Sequence, residues 1–234
     1  MVRLSLKLQV LYEDNHLLVV NKSAGLPTMG TPADRATLLS LAKEYVKEKY
    51  QKPGNVYLGV VSRLDVPVSG AVLFARTSKS ARRLNAQFRT QAVQKTYWAI
   101  AEGIVTPPAG EMLDWVEHDE RHRRMRIAAA ESDGVKEARL AYRRLEIIDK
   151  SYSWLEITLI TGRKHQIRLQ LARRGHPILG DIKYGSKVGF PAGIALHARK
   201  LRIAHPITSV PLQFTAPLPE AWTKFGLRAP PVED

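Results

Sequence analysis

The stretch VSRLDVPVSG, residues 61–70, places a single carboxylate, Asp65, two residues after Arg63 and just ahead of the apolar run AVLFA. A carboxylate held before a buried strand can act as a nucleophile or as a general base. A neighbouring guanidinium can stack on a planar group or hold an anion. The alternatives are an ordinary turn carboxylate and a surface salt bridge, which contributes about 1 kcal/mol or less.

A second stretch, residues 161–176, carries five Lys or Arg side chains and no acid. A glycine precedes the helix predicted over residues 163–175, so free backbone N–H groups and the guanidinium of Arg163 can face a phosphate together. On that helix His165 and Arg168 lie three residues apart and share a face. An amphipathic helix with a solvated basic side is the alternative interpretation.

The net charge points to a polyanionic partner. The chain of 234 residues has 36 Lys and Arg against 22 Asp and Glu, a formal charge of +14, which predicts attraction to nucleic acid. The absence of cysteine excludes disulfides, thiolate metal ligands and a cysteine nucleophile, and it fits a cytoplasmic protein. No apolar run approaches the roughly 18 residues that cross a bilayer, and the N-terminus lacks a signal peptide's apolar centre.

A third basic stretch, EHDERHRRMR at residues 117–126, mixes four arginines and two histidines with three acids. The histidines are four residues apart, but Asp follows the first where a zinc protease needs Glu, and the arginines repel a cation, so we predict no metal site. Two interpretations remain open. The segment is an exposed hairpin with solvated charges, or it contacts nucleic-acid phosphates through Arg121, Arg123 and Arg124.

The elements that position these residues read as strands joined by short turns, with few helices. This pattern predicts an α+β fold with a mixed, largely antiparallel sheet flanked by helices and loops. Residues 104–134 read as the most irregular part of the chain. We expect residues 1–234 to form a single domain, with a core over about 8–214 and a mobile Pro-rich C-terminal tail. The helices are predicted over residues 36–50, 77–91 and 163–175, and the strands over 8–12, 17–21, 70–75, 95–103, 136–148, 153–160, 195–203 and 210–216.

Four ordered stretches resemble the RluA-type family of RNA pseudouridine synthases: LYEDNHLLVVNKSAGLPTMG, SRLDVPVSGAVLFAR, TGRKHQIRLQLARRGHPILGDIKYG and LHARKLRIAHP. The resemblance implies the pseudouridine synthase fold. The chain departs from the family's usual pattern at Ser62, where the family has His, and at Val68, where it has Thr. Many relatives carry a small RNA-binding domain in front of the catalytic one, and we expect this chain to lack it because few residues precede the first strand.

The resemblance implies a reaction that needs no cofactor and no metal. A uridine in ribosomal or transfer RNA loses its N1–C1′ bond, turns over and is reattached through C5. By resemblance, Asp65 is the carboxylate that attacks C1′ or takes a proton from C2′, two routes that the sequence leaves open. Arg168 matches the family's arginine that keeps this carboxylate ionised, and Tyr97 matches the tyrosine that stacks on the base and reaches a proton.

The remaining site residues are expected to bind RNA. Arg63 is placed to fill the space that a flipped uridine vacates, because a guanidinium is planar. We also expect contacts to RNA from Arg163, Lys164 and His165. Two other functions stay open: a non-catalytic RNA-binding or ribosome-assembly protein with the same fold, and a glycosidase-like hydrolase, which needs a second carboxylate. We expect a monomer with RNA as its partner, no obligate protein partner and no membrane association.

Overall fold

A computed structural model describes residues 8–30, 36–122, 124–129 and 134–223. The strands, in chain order, are β1 (Gln9–Glu13), β2 (Leu17–Lys22), β3 (Gly59–Val60), β4 (Ser69–Ala75), β5 (Gln94–Glu102), β6 (Ala109–Asp119), β7 (Arg124–Ile127), β8 (Lys136–Ile148), β9 (Tyr152–Leu159), β10 (Leu196–Ala204) and β11 (Pro211–Thr215). The helices are α1 (Leu38–Lys49), α2 (Ser78–Arg89), α3 (Gln166–Arg173) and α4 (Glu220–Thr223), and a short 3-10 helix spans Ile182–Tyr184.

The chain divides into two compact units, described below one at a time. The first comprises Met1–Val93 and Leu201–Pro217, and the second comprises Gln94–Lys200 and Leu218–Asp234. The predicted fold class, α+β with a mixed, largely antiparallel sheet, is confirmed. The assignment of residues 1–234 to a single domain stays a prediction.

In the first unit, β2 lies between β1 and β4, and β3 pairs with the C-terminal end of β4. Successive side chains of a strand point to opposite faces, so β2 supplies two separate apolar clusters. Leu17 and Val19 pack in the cluster that includes Leu84 of α2, whereas Leu18 and Val20 pack in the cluster of α1. Both faces of β2 and β4 are covered, which explains why these strands read as continuous apolar runs rather than as alternating ones.

Both helices of the first unit begin at a threonine that caps free N–H groups. The Thr37 hydroxyl accepts a hydrogen bond from Ser40 N at 3.0 Å, and the Ser40 hydroxyl accepts one from Thr37 N at 2.9 Å. The Thr77 hydroxyl accepts a bond from Ser80 N at 3.1 Å at the start of α2. Hydroxyl residues at these positions stabilise a helix by about 1 kcal/mol each. The helices predicted over residues 36–50 and 77–91 are confirmed.

In the second unit the strands follow the order β10, β5, β9, β8, β6 and β7. The pairs from β5 to β7 are antiparallel. The prediction that residues 104–134 are irregular is wrong for 109–119 and 124–127, because β6 covers 11 residues and β7 covers four. Residues 123 and 130–133 lie outside the described residues. Within β6 only Met112 and Val116 are buried, so the period of two is hidden among polar and half-exposed positions.

Helix α3 is shorter than the helix predicted over residues 163–175. His165 has a φ of +55°, in the left-handed region, so Arg163–His165 lies outside the helix, which begins at Gln166. The C-terminal end is as predicted. Gly175 has a φ of +81°, and His176 N donates to Leu171 O at 3.0 Å, the geometry of a glycine-terminated helix.

Helix α4 lies in the region predicted to be a mobile tail. Its Trp222 is 1% exposed, with ring centres of Phe190 at 5.8 Å and of His197 at 6.1 Å. Residues 224–234, the rest of the predicted tail, lie outside the described residues. None of the helices in the described ranges is long and apolar enough to cross a bilayer.

Candidate active site

Asp65 lies in the loop that joins β3 to β4 in the first unit. The two strands pair antiparallel, with Gly59 opposite Ala75 and Val60 opposite Phe74, so the loop doubles back onto a strand whose residues are all buried. Val68 N donates to Asp65 O at 3.1 Å and closes a turn around the half-buried aspartate. Asp65 therefore stands directly before a core strand, as the sequence predicts.

The backbone on both sides of Asp65 is tied to the segment that follows β2. The Thr28 hydroxyl accepts a hydrogen bond from Leu64 N at 3.2 Å and donates one to Leu64 O at 2.9 Å. Gly25 N donates to Val66 O at 2.8 Å. Because the residues before and after Asp65 are both held, the main chain that carries its carboxylate has a defined position.

Lys22, at the end of β2, adds a buried positive charge to this loop. Its side chain is 1% exposed, and Nζ donates to the carbonyl oxygens of Ser23 at 3.0 Å, Leu26 at 2.7 Å and Val66 at 3.1 Å. Burial lowers the pKa of Lys22 to about 8, and the charge of Asp65 opposes that shift. At neutral pH the lysine is therefore mostly protonated and places a positive charge beside this loop.

The sequence interpretation missed Lys22 and Thr28. The usable signal was a lysine closing the apolar run LLVVN, since a lysine is almost never fully buried unless its ammonium is satisfied. The contact between Thr28 and Leu64 has no such signal, because a separation of 36 residues leaves no periodic trace.

The two departures from the family pattern leave the loop anchored. Leu73 N, in β4, donates to the Ser62 hydroxyl at 2.9 Å, so the serine side chain fastens the loop to the neighbouring strand. Val68 is buried and needs no hydrogen-bond partner for its side chain. Arg63 is exposed and forms no ion pair with any residue of the described ranges, so the salt-bridge alternative does not apply to it there.

Arg168 and Tyr97 belong to the second unit. Tyr97 is half-buried on β5, opposite Ile157 of β9. Arg168 is 5% exposed and binds Asp181 through two parallel contacts, Nε to Oδ2 at 2.7 Å and Nη2 to Oδ1 at 2.8 Å. Its guanidinium carbon also lies 5.0 Å from the ring centre of Tyr184. The sequence interpretation assigned no role to Asp181 or Tyr184, although both lie in the matched stretch GDIKYG.

The Tyr184 hydroxyl connects two more parts of the second unit. It lies 2.8 Å from His165 Nδ1, and Met125 N of β7 donates to it at 3.1 Å. His165, predicted to bind RNA, therefore already has an intramolecular partner, and Lys164 beside it is exposed. The structure brings His165, Arg168 and the β6–β7 hairpin together around one tyrosine.

The segment 117–126 forms the exposed hairpin that was one of its two interpretations. Arg126 pairs with Glu117 at 2.8 Å and Arg124 with Asp119 at 3.9 Å across β6 and β7. Hydrogen bonds from His122 lower the pKa of Asp119. Arg121 is exposed, and Arg123 lies outside the described residues. Contact with RNA stays a prediction for this hairpin.

The described part of the chain contains no group of three or more His, Cys, Asp or Glu side chains that could hold a metal ion. The one metal candidate in the sequence, the histidine pair of this hairpin, has His122 bound to Asp119 at 2.8 Å.

Comparison with known proteins identifies the family. A family model described as RNA pseudouridylate synthase matches residues 16–173. A protein of Haemophilus influenzae named dual-specificity RNA pseudouridine synthase RluA is 35% identical, over 89% of this chain and 92% of the relative. An uncharacterized RNA pseudouridine synthase of Synechocystis is 33% identical, over 94% of this chain and 68% of the relative.

A further relative, the ribosomal large subunit pseudouridine synthase D of Xylella fastidiosa, is 34% identical over 91% of this chain and 66% of the relative. Among solved structures, human RNA pseudouridylate synthase domain containing 4 superposes with a TM-score of 0.79 at 25% identity, covering 95% of this chain and 94% of that one. The chain belongs to the RluA-type family of RNA pseudouridine synthases, and it is an RNA pseudouridine synthase.

Proposed function

We propose that this enzyme isomerises a specific uridine of ribosomal or transfer RNA in the cytoplasm, with Asp65 as its essential group and no cofactor. The names of two relatives support an RNA substrate, since one is named for the large ribosomal subunit and the other for dual specificity. The formal charge of +14 agrees with a polyanionic substrate.

The observation that carries the role of Asp65 is the way its loop is built. Hydrogen bonds to backbone atoms of Leu64, Val66 and Asp65 itself fix the main chain that carries the carboxylate. The buried ammonium of Lys22 lies close enough to interact with the charge of Asp65. An ionised carboxylate either attacks C1′ directly or removes the C2′ proton, and in each case a preorganised position lowers the barrier to reaction.

Arg168 and Tyr97 complete the proposed chemistry by resemblance to the family. The bidentate contact with Asp181 holds Arg168 in one orientation, so its charge acts from a fixed place rather than from a mobile side chain. The ring of Tyr97 stacks on the uracil while the base turns over, and its hydroxyl exchanges a proton with the base.

Binding of the RNA is proposed to rest on exposed cations. Arg63 stands beside Asp65 without an ion pair in the described ranges and fills the stack when the uridine flips out, a step that costs a few kcal/mol. Lys164 and Arg163 contact the RNA backbone, together with His165 and the arginines of the β6–β7 hairpin.

The test of this function compares Asp65→Asn with Asp149→Asn. Asp149 is an exposed residue of the turn between β8 and β9 with a φ of +48°, a conformation that asparagine accepts, so this control removes the same charge at a residue that is given no role in the reaction. Total RNA from cells lacking the gene is incubated with each protein, and pseudouridines are mapped.

We expect new pseudouridine with the unmodified protein and the control, and none with Asp65→Asn, although that variant still binds the RNA. Turnover by Asp65→Asn would overturn the role of Asp65. Release of free uracil in place of pseudouridine would instead point to hydrolysis.

A further inference from the structure

Several arginines in the described ranges of the second unit form an ion pair with a carboxylate, whereas Arg163 and Lys95 form none. In the described ranges of this unit, neither of these two residues forms an ion pair with an acid. These paired arginines are Arg124 with Asp119, Arg126 with Glu117, Arg139 with Glu111, Arg143 with Glu156, Arg168 with Asp181, and Arg174 with Asp114.

Lys95 and Arg163 lie together beside a glycine. The ammonium nitrogen of Lys95, on β5, is 3.2 Å from the point that a Cβ on Gly162 would occupy, so it rests against the backbone immediately before Arg163. Two contacts orient Arg163: Nε donates to Glu137 O at 2.7 Å, and the backbone N donates to Gln166 Oε1 at 2.9 Å. Both Nη groups of Arg163 lack a hydrogen-bond partner among the described residues.

The two cations repel each other in a half-buried place. Burial, and then the charge of Arg163, lower the pKa of Lys95. Like charges held together without an ion-paired acid among the described residues destabilise the free protein, and an oxyanion between them removes that repulsion. The Nη groups of a guanidinium and a lysine ammonium together suit an anion with two or more oxygens, such as a phosphate.

We infer that Lys95, Arg163 and the open backbone at Gly162 form a binding site for one phosphate group of the RNA. This inference rests on the proposed function. Lys95 and Tyr97 are two residues apart on β5, so their side chains leave the same face of the sheet about 7 Å apart. A phosphate held by Lys95 therefore belongs to the target uridine or to its immediate neighbour, and the site positions the nucleotide whose base stacks on Tyr97.

Salt dependence of RNA binding tests the site. The probe is a fluorescent oligouridylate of about ten nucleotides, and anisotropy is measured over a series of salt concentrations. The variants are Lys95→Gln, Arg163→Gln and the double variant, with Lys43→Gln as a matched control. Lys43 is an exposed lysine of α1 in the first unit, so this control removes one charge without touching the site. Thermal unfolding confirms that each variant folds.

We expect the double variant to lower the slope of log K against log salt by about 0.7, the share of one phosphate on a single strand. Each single variant binds about tenfold more weakly at low salt, and the double variant is little worse, because both groups hold the same phosphate. The conservative variant Lys95→Arg keeps the slope of log K against log salt of the unmodified protein. Affinity falls with rising pH in the unmodified protein and not in Lys95→Arg, because bound phosphate favours a protonated amine that the free protein disfavours.

Three results would overturn the site. One is an oligouridylate slope in the double variant equal to that of the unmodified protein or of Lys43→Gln. Another is a lack of salt-dependent binding by the unmodified protein. The third is stabilisation by inorganic phosphate that requires Lys95 and Arg163 while the RNA slopes coincide, which would assign the site to free phosphate. A protein that makes no pseudouridine would overturn the proposed function and leave the slopes as a separate result.

Discussion

Replacing Lys22 by methionine probes the buried ammonium behind Asp65. Methionine has a similar length and no charge, and it leaves the carbonyl oxygens of Ser23, Leu26 and Val66 without their donor. At neutral pH two effects therefore oppose each other: the lost hydrogen bonds destabilise the fold, whereas removal of a buried charge stabilises it. The pH dependence of stability separates them, because only the charge titrates.

The magnitude follows from the pKa. The ordinary pKa of 10.5 falls to about 8 in the folded protein. At about 1.4 kcal/mol per pH unit, the ammonium costs the folded state about 3 kcal/mol below that pH. Between the two values the unfolded chain binds a proton that the folded chain releases, so the unfolding free energy rises with pH. The destabilisation by the Lys22 ammonium is therefore absent above pH 10.5, and the stability present there is lost as the pH falls toward about 8.

The measurement is urea unfolding of the unmodified protein and of Lys22→Met at a series of pH values from about 7 to 10. We expect the difference in unfolding free energy, unmodified minus variant, to grow by up to about 3 kcal/mol across that range. An Asp65→Asn background should move the rise to lower pH, since the charge of Asp65 supports the protonated lysine. Parallel curves, with a difference that stays constant, would refute the argument.

Three other substitutions test separate parts of the site. Asp181→Asn removes the charge that holds Arg168, and we expect a loss of about 3 kcal/mol in urea unfolding together with slow single-turnover rates; an unchanged midpoint would contradict this. Arg63→Ala should slow turnover more on a hairpin RNA than on a short unstructured one, because flipping costs more there, and equal losses would count against its role. In the β6–β7 hairpin, Arg121→Gln should lower the salt slope of RNA binding by about 0.7 to 0.9, more than Arg124→Gln, whose arginine already faces a carboxylate; identical slopes would leave the hairpin as a solvated surface.

The parts of the fold that the sequence predicts well are those set by local chemistry. Strands β2 and β4 are continuous apolar runs bounded by turn residues, and α1 and α2 follow hydroxyl caps. Gly175 ends α3 through its positive φ, which few other residues adopt. In each case the signal lies within a few residues of the structure that it predicts.

The failures share the opposite property. The start of α3 depends on the Gln166 side chain, which accepts a hydrogen bond from Thr161 at 2.8 Å and leaves His165 in the left-handed region. Strand β6 forms because it pairs with β8, although its own pattern shows little alternation. The hydrogen bond from Thr28 to Leu64, beside Asp65, joins residues that are 36 positions apart in the chain. Tertiary contacts decide all three, and a single sequence does not display them.

The hydrogen bonds that hold the loop of Asp65 affect how such an enzyme can diverge in evolution. These bonds reach main-chain atoms of residues 64 and 66 rather than their side chains, and they come from Thr28, Gly25 and Lys22. An exposed side chain of this loop can therefore be exchanged by mutation without breaking the hydrogen bonds that hold the main chain at Asp65. Val66, which is 42% exposed, is one such position. Substitutions at such exposed positions can therefore change which RNA is bound while the main chain at Asp65 stays in place, so substrate choice and chemistry can evolve separately.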